Sequence, residues 1–268
     1  MPTMFVVAES LNVRSSPSSK NQDNIIGKLY LTQSVELVSQ PSSGWIEIEA
    51  VNTDPGANGT IRGYVSMVYL RQPTTSNREA LVASASQEYF RFARGKGKEH
   101  IKPYAQYVGE MWRAINIRLD GTDRDTPWSA AAISFFVRNA GGAYSRFGFA
   151  AAHSKFIYQA IQAREKKDVN QPFWGFRLHE VRPQIGDIVA RDNPQYLPQI
   201  TYEIASKIES YRSHTDLIVH IDSAQRRAIA IGGNVSDSVG LAYYDLAPGD
   251  FLDETKHTFA LLRNMTDG

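Results

Sequence analysis

Through the first seventy residues, apolar positions come in short runs broken by Ser, Pro, Gly and Asn. Leu29-Tyr30-Leu31, Ser34–Val38 and Trp45–Glu49 alternate or cluster β-favouring residues, the pattern of strands and not of helices. Strand alternation sends neighbours to opposite faces, so Trp45, Ile46 and Ile48 cannot share one side. Such a sheet has to bury parts of both faces or curl, and an all-β barrel satisfies that.

The pattern changes after Gln72-Pro73-Thr74-Thr75, which reads as a linker. Ser76-Asn77-Arg78-Glu79 has the form of a capping box, with Ser able to accept from the amide three residues on and Glu reaching back. A helix is expected to follow, burying Leu81, Ala85, Tyr89 and Phe92 and ending at Gly95-Lys96-Gly97-Lys98. A second helix places Tyr104, Tyr107, Val108, Met111, Trp112 and Ile115 on one face. That aromatic stripe reads as core and not as a ligand box.

A third helix is expected from Thr126 as N-cap, with Pro127 at the first helical position, where its missing N–H costs nothing. Ser129 then falls in the first turn, where free amides and the positive helix end favour a developing anion. Ala132, Ile133, Phe136, Val137 and Ala140 form the buried face, and Gly141-Gly142 ends the helix. Three strands come later: Pro183–Val189 turns into one, His214–Ile221 makes the second, and Arg227–Val235 the third, closing on Gly232-Gly233-Asn234. In the second, alternation sets His214, Asp216, Ile218 and His220 against Leu217, Val219 and Ile221. Arg191–Ser213 is long for a strand connection; Tyr202, Ile204, Ala205 and Ile208 give it partial helical periodicity, so an insertion beside the active site is expected.

Two resemblances are carried by these residues. Leu11-Asn12-Val13-Arg14-Ser15-Ser16-Pro17-Ser18, then Gly44-Trp45, Gly63-Tyr64-Val65 and Tyr69-Leu70, resemble bacterial SH3 domains in order and spacing over about residues 3–72, with Asn52–Thr60 as a longer loop. That family supplies targeting modules, often for peptidoglycan. Trp128-Ser129-Ala130-Ala131, Pro183-x-x-Gly186-Asp187, His214 at a strand start and Gly233-Asn234 resemble, in order, the papain-like peptidoglycan hydrolases of the CHAP and NlpC types over about residues 100–265. The implied architecture is an all-β SH3-like barrel in residues 1–72, followed in residues 73–268 by an α+β papain-like domain with N-terminal helices packed on an antiparallel sheet. The implied activity is that of an amidase or endopeptidase cutting the peptide stem, at the cell envelope or periplasm.

In that family the residue after the tryptophan is a cysteine, and here it is serine. The Trp-Ser-Ala-Ala form also resembles a little-characterised branch of the superfamily that carries serine there. The chain contains no cysteine at all, which excludes disulfides, thiolate metal sites and a thiol nucleophile. Three readings of Ser129 stand open: a serine nucleophile, a domain that has lost catalysis, and an engineered replacement of cysteine. On the first, Ser129 attacks, His214 is general base and then acid, and Asn234 orients the imidazole. Asp216 is the alternative orienting partner, although its two-residue offset makes a bond to the same ring less expected.

Trp128 and His153 are assigned to substrate binding. His153 shares a helical face with Ile157, Ala160 and Ile161, which reads first as core, and second as site wall or reserve base. His100, His179 and His257 have no such context, and His220 reads as structural. Neither a His-Glu-x-x-His zinc motif nor a phosphate-binding glycine loop is present, so no metal or cofactor is expected. A formal net charge of +1 gives no support to nucleic-acid binding. No apolar run approaches the roughly 20 residues of a membrane helix, and Met1–Val7 does not read as a signal peptide. Rival readings are a cell-wall-binding protein without catalysis and an acyltransferase on the same fold.

Overall fold

Ile46, Ile48 and Ala50 alternate with Trp45, Glu47 and Glu49 along one strand, and the first three are buried while the others are half-buried. This is one strand of the first of two units in the computed structural model, which describes residues 2–53, 58–195 and 197–267. The units are Met1–Thr74 and Thr75–Gly268. The protein is mostly β, with two curled antiparallel sheets and several helices.

The first unit holds β1 (Thr3–Val6), β2 (Ser10–Arg14), β3 (Ile25–Tyr30), β4 (Ser34–Leu37), β5 (Trp45–Val51), β6 (Thr60–Ser66) and β7 (Leu70–Arg71). They form one sheet in the order β3-β2-β6-β5-β4-β1-β7. Val6, Leu11, Val13, Leu29, Val35, Ile46, Ile48 and Val65 close its core. Each side chain of this size taken fully out of water contributes about 1.5–3 kcal/mol, which is how a short run of strands holds together. Of the expected Asn52–Thr60 loop, residues 54–57 lie outside the described residues.

The second unit begins with α1 (Ser76–Arg91), α2 (Tyr104–Arg113), α3 (Ser129–Asn139) and α4 (His153–Glu165). Then follow β8 (Phe173–Phe176), β9 (Ile188–Asp192), the single turn α5 (Tyr202–Ala205), β10 (Ser213–Asp222), β11 (Arg227–Gly232), β12 (Gly240–Ala247), β13 (Phe251–Leu252) and β14 (Thr258–Asn264). The sheet runs β13-β12-β11-β10-β9-β14-β8. β10 is central, paired with β9 (Asp216 opposite Val189) and with β11 (Leu217 opposite Ile231). α1, α3 and α4 pack on it. Among the described residues no helix is long and apolar enough to cross a membrane.

Two helix starts differ from the sequence expectation. Ser76 is not a cap: Thr75 holds that position, without a side-chain cap bond, because its hydroxyl goes to Asp267. α3 starts at Ser129, with Trp128 and not Thr126 in the cap position. The indole explains the delay. Its N–H donates to Glu99 and its ring stacks on Phe92 at 5.8 Å, which holds Trp128 in place before the helix can begin.

Asp187, ahead of β9, is a pin. It accepts from the guanidinium of Arg78 on α1 (3.0 Å), from that of Arg263 on β14 (2.9 Å), and from the amides of Gln184 and Asn264. Burial pushes its carboxyl up, and the two arginines pull it back.

The candidate active site

Ser129 is the first residue of α3. The first bond inside the helix runs from the Ala132 amide to the Trp128 carbonyl, so the amides of Ser129, Ala130 and Ala131 have no acceptor within the helix. His153 is the first residue of α4. The two helix starts bring the Ser129 Oγ and the His153 Nε2 to 2.7 Å. On the other side of the ring, Nδ1 lies 2.8 Å from the Thr215 hydroxyl. For Nε2 to accept from the serine, Nδ1 must carry the proton and donate to Thr215. His153 is only 5% exposed. Burial, followed by the charge of nearby His214, holds its ring well below the ordinary histidine value. A neutral imidazole against a hydroxyl is the arrangement a general base requires.

A second histidine stands beside the first. The His214 and His153 rings are 5.1 Å apart, centre to centre. His214 donates from Nε2 to Asp216 Oδ1 at 2.9 Å. Asp216 is completely buried, accepts from the Tyr244 hydroxyl, and has Arg191 Nε at 3.8 Å. Burial opposes its ionisation, yet His214, Arg191 and Tyr244 outweigh that and bring the carboxyl down to about 2. Alternation along β10 sends Thr215 to the face opposite His214 and Asp216. One strand thus holds both histidines, one from each side.

These groups open onto a cleft of about 690 Å³. Trp112, Ile117, Leu119 and Pro127 give it an apolar wall, and Arg191, Asn193, Arg212 and His214 a polar one. Asn193 and Arg212 come from the two ends of the segment expected as an insertion; Tyr196 within it lies outside the described residues. Gly232 and Gly233 allow the close approach beneath. A Cβ on Gly232 would collide with Asp216 Oδ1, and one on Gly233 would collide with the Ala132 methyl.

The structure sorts the residues singled out in the sequence. Ser129, His153, His214 and Asn234 line the one cleft, and Asp216 lies beneath it. The hydrogen bond of the Ser129 hydroxyl goes to His153 and not to His214. His214 is held by Asp216 despite the short offset, because residues two apart on a strand share a face. Asn234 makes no hydrogen bond to His214; it sits in left-handed backbone, with φ of 56°, after the glycine pair. Trp128 is core, 2% exposed, and is not part of the cleft lining. His100, His179, His220 and His257 do not line the cleft. Thr215, Tyr244 and Glu99 were not legible as partners, since each acts through a contact distant in sequence. For His153, the helix start after Ala151-Ala152 was the available signal.

A second hollow, of about 340 Å³, lies near Arg177, His179, Asp192 and His257. Asp192 there accepts from the amides of Asn193 and Ile200. Among the described residues, no group of three or more His, Cys, Asp or Glu is arranged to hold a metal ion.

A family model described as "Uncharacterized protein conserved in bacteria (DUF2272)" matches residues 97–260, a span that includes every cleft residue named above. No curated protein matches the chain. Among solved structures, NlpC2 from Trichomonas vaginalis is similar at 11% identity, over 98% of this chain and 72% of that one, with a TM-score of 0.32. A likeness of that size carries no argument.

Proposed function

The chain belongs to the DUF2272 family of uncharacterized proteins conserved in bacteria, and we propose that its second unit is a serine hydrolase cutting an amide bond in the peptide stem of peptidoglycan. The observation that carries this reading is the 2.7 Å contact between Ser129 and His153 at the edge of an open cleft. The choice of substrate rests on the ordered motifs of the two sequence resemblances, which also make the first unit an SH3-like module for wall targeting and the second a papain-like domain. The place of action is then the cell envelope or periplasm.

The chemistry follows from the geometry. Ser129 Oγ attacks the amide carbonyl carbon, and its proton passes to His153 Nε2. Amides at the start of α3, among them that of Ser129, hold the oxyanion. The C–N bond breaks, the amine leaves with a proton, and water hydrolyses the Ser129 ester. Relative to the sequence expectation, the base moves from His214 to His153. The partner behind the base is a neutral hydroxyl, Thr215, where the familiar triad has a carboxylate. That feature favours one second reading, a wall-binding protein without catalysis.

Digestion of purified sacculi, with products read by mass spectrometry, separates the two. Cleavage by the parent should fall about 10⁴-fold or more in Ser129→Ala and in His153→Gln, and the product masses name the bond. Activity only in Ser129→Cys would identify a disabled thiol enzyme. Silence in the parent and in both Ser129 variants, with the protein sedimenting with sacculi, would establish the binding reading.

A further inference from the structure

We infer that the second hollow, the one of about 340 Å³ bordered by β9, α5 and β14, is a binding site for a primary ammonium group carried on a short aliphatic chain. The site lies within the second unit and does not depend on the reading of Ser129 as nucleophile. A carboxylate taken out of water calls for a partner of opposite charge. Asp192, the last residue of β9, lines the hollow and is 3% exposed. Its Oδ1 accepts from the Asn193 amide at 2.8 Å and its Oδ2 from the Ile200 amide at 3.0 Å. Among the described residues no Lys, Arg or His side chain pairs with it. A carboxylate has about four acceptor sites, so two neutral donors leave both charge and acceptor capacity unspent.

The second observation is independent of charge. Thr258, on β14, lines the same hollow and is 4% exposed, and its Oγ1 has no hydrogen-bond partner among the described residues. Buried hydroxyls are normally paired, so this oxygen is open to a donor that the chain itself does not supply. Charge and shape narrow the ligand. The carboxylates of Asp192, Glu203 and Glu254 line the hollow against one guanidinium, that of Arg177, which is already tied to Glu203 at 3.0 Å and Glu180 at 3.6 Å. An anion is disfavoured there, and no group of three or more His, Cys, Asp or Glu among the described residues is arranged for a metal ion. An ammonium has three N–H donors and no acceptor, which matches an open carboxylate beside an open hydroxyl oxygen. Leu178, Ile200 and Phe259 are buried and give the hollow an apolar lining that suits methylene groups.

Titration calorimetry on the full chain tests this with n-butylamine, with n-butanol as its uncharged counterpart, and with Nα-acetyl-lysinamide, which carries the same ammonium on a peptide. For so small a ligand as n-butylamine, a dissociation constant of about 0.1–10 mM is expected. Asp192→Asn, which removes the charge, should weaken it by about tenfold or more. Thr258→Val should weaken it by about threefold to tenfold, and the unliganded variant should melt no lower than the parent, because the hydroxyl it removes has no partner. Should Asp192→Asn fail to fold, Thr258→Val decides. Tighter binding of Nα-acetyl-lysinamide than of n-butylamine would make the natural ligand a peptide side chain, and weaker binding would make it a free amine. Three results would each overturn the inference: no saturable heat from either amine, n-butanol binding as tightly as n-butylamine, or affinity unchanged in the folded variants.

Discussion

Neutral His153 makes the protein's stability depend on pH in a defined direction. In the unfolded chain a histidine titrates near 6.5, whereas burial and His214 hold the folded ring well below that. Between those two values the unfolded chain binds more protons, so stability is full above about pH 6.5 and is lost as pH falls through the window. The melting temperature of His153→Gln should therefore decline less than that of the parent across the same acidic range, as thermal melts at stepped pH would show. Asp216 acts in a separate window: its contribution is present above about pH 4 and is lost as pH falls toward 2. A further prediction concerns Gly232. A methyl group at that position would fall on the Asp216 carboxylate, so Gly232→Ala should cost about 1–3 kcal/mol in denaturant unfolding. Of the site, Ser129, His214 and Asp216 were legible because each sits at a patterned position on a helix or strand. Which histidine meets the serine was not, because α4 reaches α3 only through tertiary packing, and spacing along the chain carries no record of it.

At the scale of elements, periodicity was informative where a face is buried and misleading where a single side chain decides. Leu81, Ala85 and Tyr89 on α1, and Val108, Met111 and Trp112 on α2, are buried as their spacing requires. The start of α3 was misplaced by two residues because the Glu99–Trp128 bond, invisible to local pattern, overrides the capping preference of Thr126. Pro183-x-x-Gly186-Asp187 was read for its place in a motif. In the fold, Asp187 ties α1, the entry to β9 and β14 together. Removing one member of a buried ionic cluster strands the others without water, so Asp187→Ala should cost about 3–5 kcal/mol. Urea titration followed by circular dichroism measures it; a loss under about 1 kcal/mol would mean that the arginines find other partners.

For the whole molecule, the division at Thr74 and Thr75 gives each unit its own sheet and core. Residues 1–74 produced alone should melt in one cooperative transition and co-sediment with sacculi. Residues 75–268 alone should keep the Ser129 reaction with p-nitrophenyl acetate and lose the co-sedimentation. Retention of wall binding by the second piece would remove the targeting role from the first. The serine at the head of α3 has one more consequence, for the chemical surroundings the protein tolerates. Thiolate hydrolases are silenced by hydrogen peroxide, which carries the sulfur stepwise to sulfenic, sulfinic and sulfonic acids. Here the chain has no cysteine, and none of the residues lining the cleft contains sulfur. An oxidative burst would leave the Ser129 hydroxyl untouched.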